Sequence, residues 1–205
     1  NNQLGGKMKI KYIYHSCFLI ETEDSFMLFD YYKHMNEVYD FDFNKLLNEI
    51  FLSTKNLYIF ASHSHRDHFN YNILSWSEKK SNIYYILSSD IKLYTPSDKL
   101  YIVKNGDELR INNIKLNIFG STDEGVSFLI YTNGLNLFHA GDLNWWKWTD
   151  DTPEEEKIME NAFKNIINDI NKLEVKIDAA FFPVDRRLKY NYLCGGEYFI
   201  QKLNP

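Results

Sequence analysis

The segment His63-Ser64-His65-Arg66-Asp67-His68 constrains this chain more than any other, because of what stands in front of it. Residues 57–61, Leu-Tyr-Ile-Phe-Ala, are an apolar run of aromatic and β-branched side chains, the pattern of a short buried strand. Any fold must therefore let a buried strand end in a dense polar cluster. Three of the six histidines lie in that cluster, with an aspartate between the last two. Imidazole nitrogens and a carboxylate oxygen gathered at one edge of a core make a site for one or two divalent metal ions, zinc by default. Histidines scattered singly are surface or satisfied core residues, and this spacing fits neither.

The rest of the composition narrows the class. With 205 residues, 44% of them hydrophobic and 17% aromatic, the chain suits one domain with a sizeable core, taken here as 8–205. Residues 1–7, which precede Met8 and contain Gly5-Gly6, read as a tag or an upstream extension. A net charge of −5 argues against a large nucleic-acid footprint. No apolar run approaches the roughly 18–20 residues that span a bilayer, and no signal-peptide pattern is visible. Cys17 and Cys194 form neither a CxxC nor a framework. The expected location is the cytoplasm, with no membrane or nucleic-acid partner.

Strands open the chain at 9–13, 18–22 and 26–29. Phe43, Leu46, Leu47 and Ile50 then recur at helical spacing behind Asp42 as N-cap. After the strand at 57–62, a short helix is expected over 71–80 and strands near 83–87 and 101–103. A meander follows through 115–119, 127–131 and 135–140, in which Asn133-Gly134 is the strongest hairpin signal. A long helix begins at Thr152-Pro153, with Glu155 completing a capping box, and places Ile158, Phe163, Ile166, Ile167 and Ile170 on its apolar side. A strand at 178–182 and a short C-terminal helix end the chain. Strands grouped with occasional helices indicate a mixed α/β (α+β) architecture of two sheets with helices outside.

The second chemical feature is Phe138-His139-Ala140-Gly141-Asp142, where another apolar strand ends in a turn bearing a carboxylate. A bridging aspartate is what a two-metal hydrolytic site needs, holding the ions ~3.5–4 Å apart. Alone, Gly-Asp after a strand is usually only a turn. Together with His63-x-His65-x-Asp67-His68 some 75 residues earlier, it resembles the metallo-β-lactamase superfamily. Tyr14-His-Ser-Cys-Phe-Leu-Ile20 and Phe26-Met-Leu-Phe-Asp30 resemble that family's first strands and its early aspartate. Within it the chain looks closest to stand-alone hydrolases related to the L-ascorbate-6-phosphate lactonase branch. The resemblance implies a four-layer αββα sandwich. It also implies that His63 and His65 bind one metal, Asp67 and His68 the other, that Asp142 bridges them, and that Asp30 supports the site by hydrogen bonding.

Two departures stand out. The family places a third histidine for the first metal between the two motifs, whereas no histidine lies between His68 and His139 here. Asp123 or Glu124, in Phe119-Gly-Ser-Thr-Asp-Glu-Gly125, could serve instead and would harden the site toward manganese or iron. The same residues also read as a plain polar turn. The family's last histidine for the second metal is missing as well; either a C-terminal segment beyond Pro205 carries it, the favoured expectation, or the second site has only Asp67, His68 and the bridge. Among other candidates, His15 could reach a pocket mouth or be structural. Trp145, with Trp146 and Trp148, could wall a substrate pocket or pack in the core. Arg187, beside Arg186 and Lys189, could hold a substrate phosphate or carboxylate or belong to a solvated loop.

The chemistry expected is metal-assisted hydrolysis of a small anionic ester, lactone or phosphodiester. Two divalent ions lower the pKa of a bound water from 15.7 to about 7, and Asp67 orients it as general base. No G-x-S-x-G elbow or phosphate-binding P-loop is present. Two readings stand beside this one: a degenerate, non-catalytic metal- or ligand-binding member, and a nuclease of the same superfamily. Self-association into a homo-oligomer stays open.

Overall fold

The computed structural model describes residues 8–32, 42–93 and 98–205. The tag-like residues 1–7 lie outside them. The chain divides into two compact units, residues 1–103 and 104–205. Each contains one sheet with helical segments, and together they give the mixed α/β class that the sequence indicates.

The first unit is a six-stranded sheet in the order β1 (Lys9–Tyr14), β2 (Cys17–Glu21), β3 (Ser25–Phe29), β4 (Asn56–Ala61), β5 (Ile83–Ser88), β6 (Leu100–Val103). The first three strands are antiparallel, and β3 to β6 run parallel. Parallel strands need crossovers. One of these carries α1 (Phe43–Leu52), capped by Asp42, whose Oδ1 accepts from Lys45 N at 3.1 Å. On one sheet face Leu28, Leu57, Ile59, Ile83 and Leu87 form a core with Phe43, Leu47 and Ile50 of α1. The alternate positions Met27, Phe29, Tyr58 and Phe60 are buried as well. Burial on both faces explains why these strands read as continuous apolar runs rather than alternating ones.

The helix expected over 71–80 is a 3₁₀ segment, Tyr71–Glu78. Ser75 and Ser77 donate to the carbonyls of Asn72 and Leu74, three residues back, which competes with α-helical pairing. Tyr85 OH fastens the segment by donating to Ile73 O at 2.7 Å, and burial pushes its phenol up to about 12.

The second unit is a five-stranded sheet, β11-β10-β9-β8-β7, with β7 (Glu108–Ile111), β8 (Ile114–Gly120), β9 (Val126–Thr132), β10 (Leu135–His139) and β11 (Ala179–Phe181). Asn133 and Gly134 both have positive φ (49° and 80°), the type I′ turn that their pairing signals. β7 escapes the sequence reading because it is a four-residue edge strand with three of its positions not buried. Helix α2 (Pro153–Asn171) has the expected capping box. Its Phe163, Ile167 and Ile170 pack on Leu129 and Phe138, joined by Phe199 of α3 (Cys194–Leu203). Ile158 is a correction: it is 69% exposed, because five residues before Phe163 is about 140° around the helix from that stripe. Among the described residues, no helix is long and apolar enough to cross a membrane.

At the edge of the first sheet, Glu21 accepts from Lys55 Nζ at 2.7 Å and faces Lys9 Nζ at 3.5 Å. The Lys55 hydrogen bond is the main cause that holds Glu21 below its ordinary pKa of 4.5. A depressed folded-state pKa contributes stability that is present above the unfolded value and lost as pH falls through the folded one. Glu21→Gln is therefore expected to cost a few tenths to about 1 kcal/mol at neutral pH. The gap to the parent should close on acidification below about 4.5. Urea unfolding near pH 7 and near pH 3.5 checks both.

Candidate metal centre

Strand direction assembles the site. β3, β4 and β5 are parallel, and β1 runs the same way after two antiparallel steps, so all four open their C-terminal ends on one edge of the first sheet. His15 follows β1, Asp30 follows β3, Ser62 and the histidine cluster follow β4, and Asp90 lies just beyond β5. The carboxyl ends of strands are the usual ligand-binding edge of an α/β sheet.

Asp30 is fully buried and organises this edge. Its backbone bends through φ 45°, a left-handed conformation that aspartate tolerates better than most residues. The carboxylate accepts from Ser62 N and Ser62 Oγ, both at 2.7 Å, and lies 2.8 Å from His68 Nδ1. An ionised carboxylate only accepts, so His68 carries its proton on Nδ1 and presents the Nε2 lone pair. The Ser62 hydroxyl has one proton and gives it to Asp30. Ser62 Oγ therefore accepts from His63 Nδ1, 3.0 Å away, and His63 likewise presents Nε2. One carboxylate thus fixes the ligand face of two imidazoles, which is how metal-binding histidines are oriented.

The donors fit a metal ion. His63 Nε2 and His65 Nδ1 are 3.0 Å apart. Two nitrogens bound to one zinc at 2.0–2.1 Å lie roughly 3–3.4 Å apart. His15, Asp67 and His68 form a second group, with one ligand atom from each lying within 4.8 Å of the others. Ser64 N donates to Asp90 Oδ2 at 2.7 Å and steadies the backbone between His63 and His65. Cys17, fully buried, is not a nucleophile here, because burial and then the Asp30 charge push its thiol well up.

Beside Asp67 the first unit has a cavity of about 620 Å³ lined by Tyr32, Ser64, Arg66, Phe69, Asn70 and Tyr71. Burial, then a hydrogen bond with Tyr14, push the Tyr32 phenol up, so it stays a neutral hydroxyl. Sequence reasoning missed Ser62, Arg66 and Asp90 as site residues. Ser62 adjoins the motif and Arg66 lies within it, but neither type carries a metal-ligand signature. Asp90 could have been found from its place after the strand following β4, since parallel neighbours end side by side.

In the second unit the same rule operates. β8, β10 and β11 run the same way, so Asp123, Asp142 and the loop bearing Arg187 follow strands that end on one edge of their own sheet. Thr122 Oγ1 donates to Asn144 O at 2.6 Å and accepts from Asn144 N at 3.0 Å, lacing the Asp123 and Asp142 loops together. Asp123 is exposed, and Asp142 follows Gly141, whose φ of 55° makes the turn. His139 is buried, its Nδ1 accepting from Gly141 N at 3.2 Å. The Trp145 ring stacks near Phe163 at 6.2 Å and lies under Lys164 Nζ at 4.7 Å. Arg187 Nε donates to Asp185 at 2.7 Å on an exposed loop.

Comparison with known proteins identifies the family and the fold. Residues 9–156 match the family described as the beta-lactamase superfamily domain. The chain belongs to that family. A search of curated proteins finds no match. Among solved structures, a metal-dependent hydrolase from Parabacteroides distasonis is 18% identical, with TM-score 0.53 over 89% of this chain and 72% of its own. A metallo-beta-lactamase from Staphylococcus aureus is 17% identical, with TM-score 0.56, 98% and 67%. CmlA, a diiron beta-hydroxylase from Streptomyces venezuelae, is 11% identical, with TM-score 0.59, and this chain spans 98% of itself but 44% of CmlA. At these identities the likeness is one of fold, and that fold is the metallo-β-lactamase fold.

Two substitutions probe the arrangement. Asp30→Asn turns an all-acceptor group toward three donors. It should cost about 3 kcal/mol in denaturant unfolding of the metal-free protein and lower zinc affinity roughly 10–100-fold. Gly195→Ala in α3 would put a Cβ 2.0 Å from Asn144 Oδ1 and 3.0 Å from Trp145 N. Displacing that loop should cost about 1–3 kcal/mol, read by thermal melting.

Proposed function

We propose that this chain is a metal-dependent hydrolase that uses two divalent ions, zinc first, on a small anionic ester, lactone or phosphodiester. The observation that carries the reading is the pair of imidazoles oriented through one buried carboxylate: Asp30 turns the Nε2 atoms of His63 and His68 into ligands. Membership of the beta-lactamase superfamily supports it. In this reading His63 and His65 hold the first ion, and Asp67 and His68 the second. Asp142 as bridge is proposed from the sequence resemblance, and Asp123 as a substitute for the first-metal histidine that the chain lacks. An oxygen ligand there would make manganese or iron an alternative to zinc.

Bound divalent ions would supply Lewis acidity toward a carbonyl or phosphoryl oxygen and would lower the pKa of a bound water to about 7. The chain's own residues do the rest. Asp67, with half its side chain exposed, is placed to orient water and take its proton on a carboxylate oxygen. Arg66 supplies a cation to the neighbouring cavity, and the Tyr32, Ser64, Asn70 and Tyr71 side chains offer hydrogen bonds to an anionic group. Phe69 gives that cavity an apolar wall. This lining favours a small anionic substrate over a neutral one and leaves Arg187 to its Asp185 partner. A substrate of the lactonase branch would suit it. A cytoplasmic setting, with a small molecule as the only obligatory partner, completes the proposal.

Metal content and a panel of lactone, ester and phosphodiester substrates test this reading. The zinc-loaded protein is expected to turn over at least one member of the panel. His63→Ala should lose an ion together with at least a 100-fold share of the rate. A protein that holds zinc but hydrolyses none of the three classes would be a non-catalytic binding member instead.

A further inference from the structure

We infer that His15 is a ligand of the second metal ion, so that the first unit alone supplies a two-histidine, one-carboxylate set: His15, Asp67 and His68. The assignment rests on the hydrolase reading only in placing an ion at Asp67 and His68. Distance is the first observation. His15 Nε2 lies 3.6 Å from Asp67 Oδ2, and one ligand atom from each of the three residues falls within 4.8 Å of the others. Nitrogen and oxygen ligands sharing one zinc at 2.0–2.2 Å sit roughly 3–3.5 Å apart, so the His15–Asp67 pair needs a contraction of only a few tenths of an ångström, and no other pair in the group needs more than roughly 1.8 Å. The His15 side chain is 41% exposed and has room to make it.

Backbone conformation is the second, independent observation. His15 and Ser16 form the two-residue loop between Tyr14 and Cys17, which pair across β1 and β2. His15 has φ 49°, and Ser16 is not among the residues with positive φ. That is the pattern of a type II′ hairpin turn, whose first position is normally glycine because a Cβ there is strained. Histidine stands where glycine would fold more easily, and such outliers cluster where a side chain is needed. The ring is also steered. It meets His68 edge-on at 5.0 Å and 88°, and Tyr32 edge-on at 6.2 Å and 89°.

The chemistry is coherent. Two neutral imidazoles and one carboxylate are a set used for catalytic zinc and for non-haem iron, and both leave positions open for water and substrate. An ordinary surface ion pair between His15 and Asp67 would use the same contact but would not depend on metal.

His15→Gly separates these roles, because it removes the imidazole while relieving the backbone. Zinc binding to the full chain, by equilibrium dialysis with elemental analysis, is expected to show two ions in the parent and one tight ion in His15→Gly. Affinity for the second ion should fall at least tenfold. The metal-free variant should melt at or above the parent's temperature, which rules out misfolding as the cause. His15→Asn, which tolerates left-handed backbone, should lose the same ion. Two ions bound with unchanged affinity in both variants would overturn the ligand assignment and leave the hydrolase reading standing. A single parental ion insensitive to His15→Gly would overturn the assignment in the same way. A parent that binds no zinc would bring down both.

Discussion

Everything at the candidate centre depends on one buried carboxylate. Asp30 sits where β3 ends, with its backbone bent out of the strand, and takes hydrogen bonds from a backbone amide, a hydroxyl and an imidazole. A carboxylate buried without such donors would protonate or unfold its surroundings. With them it becomes a fixed negative charge that sets proton positions two bonds away. His68 is oriented directly and His63 through Ser62. Two ligands with flexible torsions are thereby held ready before any ion arrives, which is preorganisation in the sense that matters for metal affinity.

The sheet makes that carboxylate possible. Five strands of the first unit end on one edge, and their core is sealed on one face by α1 and the 3₁₀ segment. The polar residues beyond the strands therefore converge without interrupting the apolar packing. Two of the left-handed non-glycine residues among those described, His15 and Asp30, lie at this edge. In the second unit a close approach replaces strain at one more point, since α3 passes Asn144 at Gly195, where no Cβ fits.

Much of this was legible in the chain. The H-x-H-x-D-H segment, the aspartates at 30 and 142, the Asn133-Gly134 hairpin and the Thr152 capping box are local signals, each set by residues within a few positions of one another. Long buried strands were legible too, because both faces are apolar. The 3₁₀ character of Tyr71–Glu78 was not, since it follows from serine side chains competing for carbonyls. Nor was β7, a short polar edge strand defined only by its pairing with β8.

By itself the sequence determined which chemistry is available: imidazoles and carboxylates behind apolar strands, in a pattern that short-range periodicity and ligand spacing are enough to reveal. Only the tertiary structure decided which of them act together. His15, Asp30, Ser62, His68 and Asp90 are separated by up to 75 positions in the chain and are brought together by strand order and direction. Those depend on long-range pairing, which no local window of residues encodes. Proton positions on His63 and His68 depend in turn on that convergence. The ligands can be read from the chain, but their orientation requires the fold.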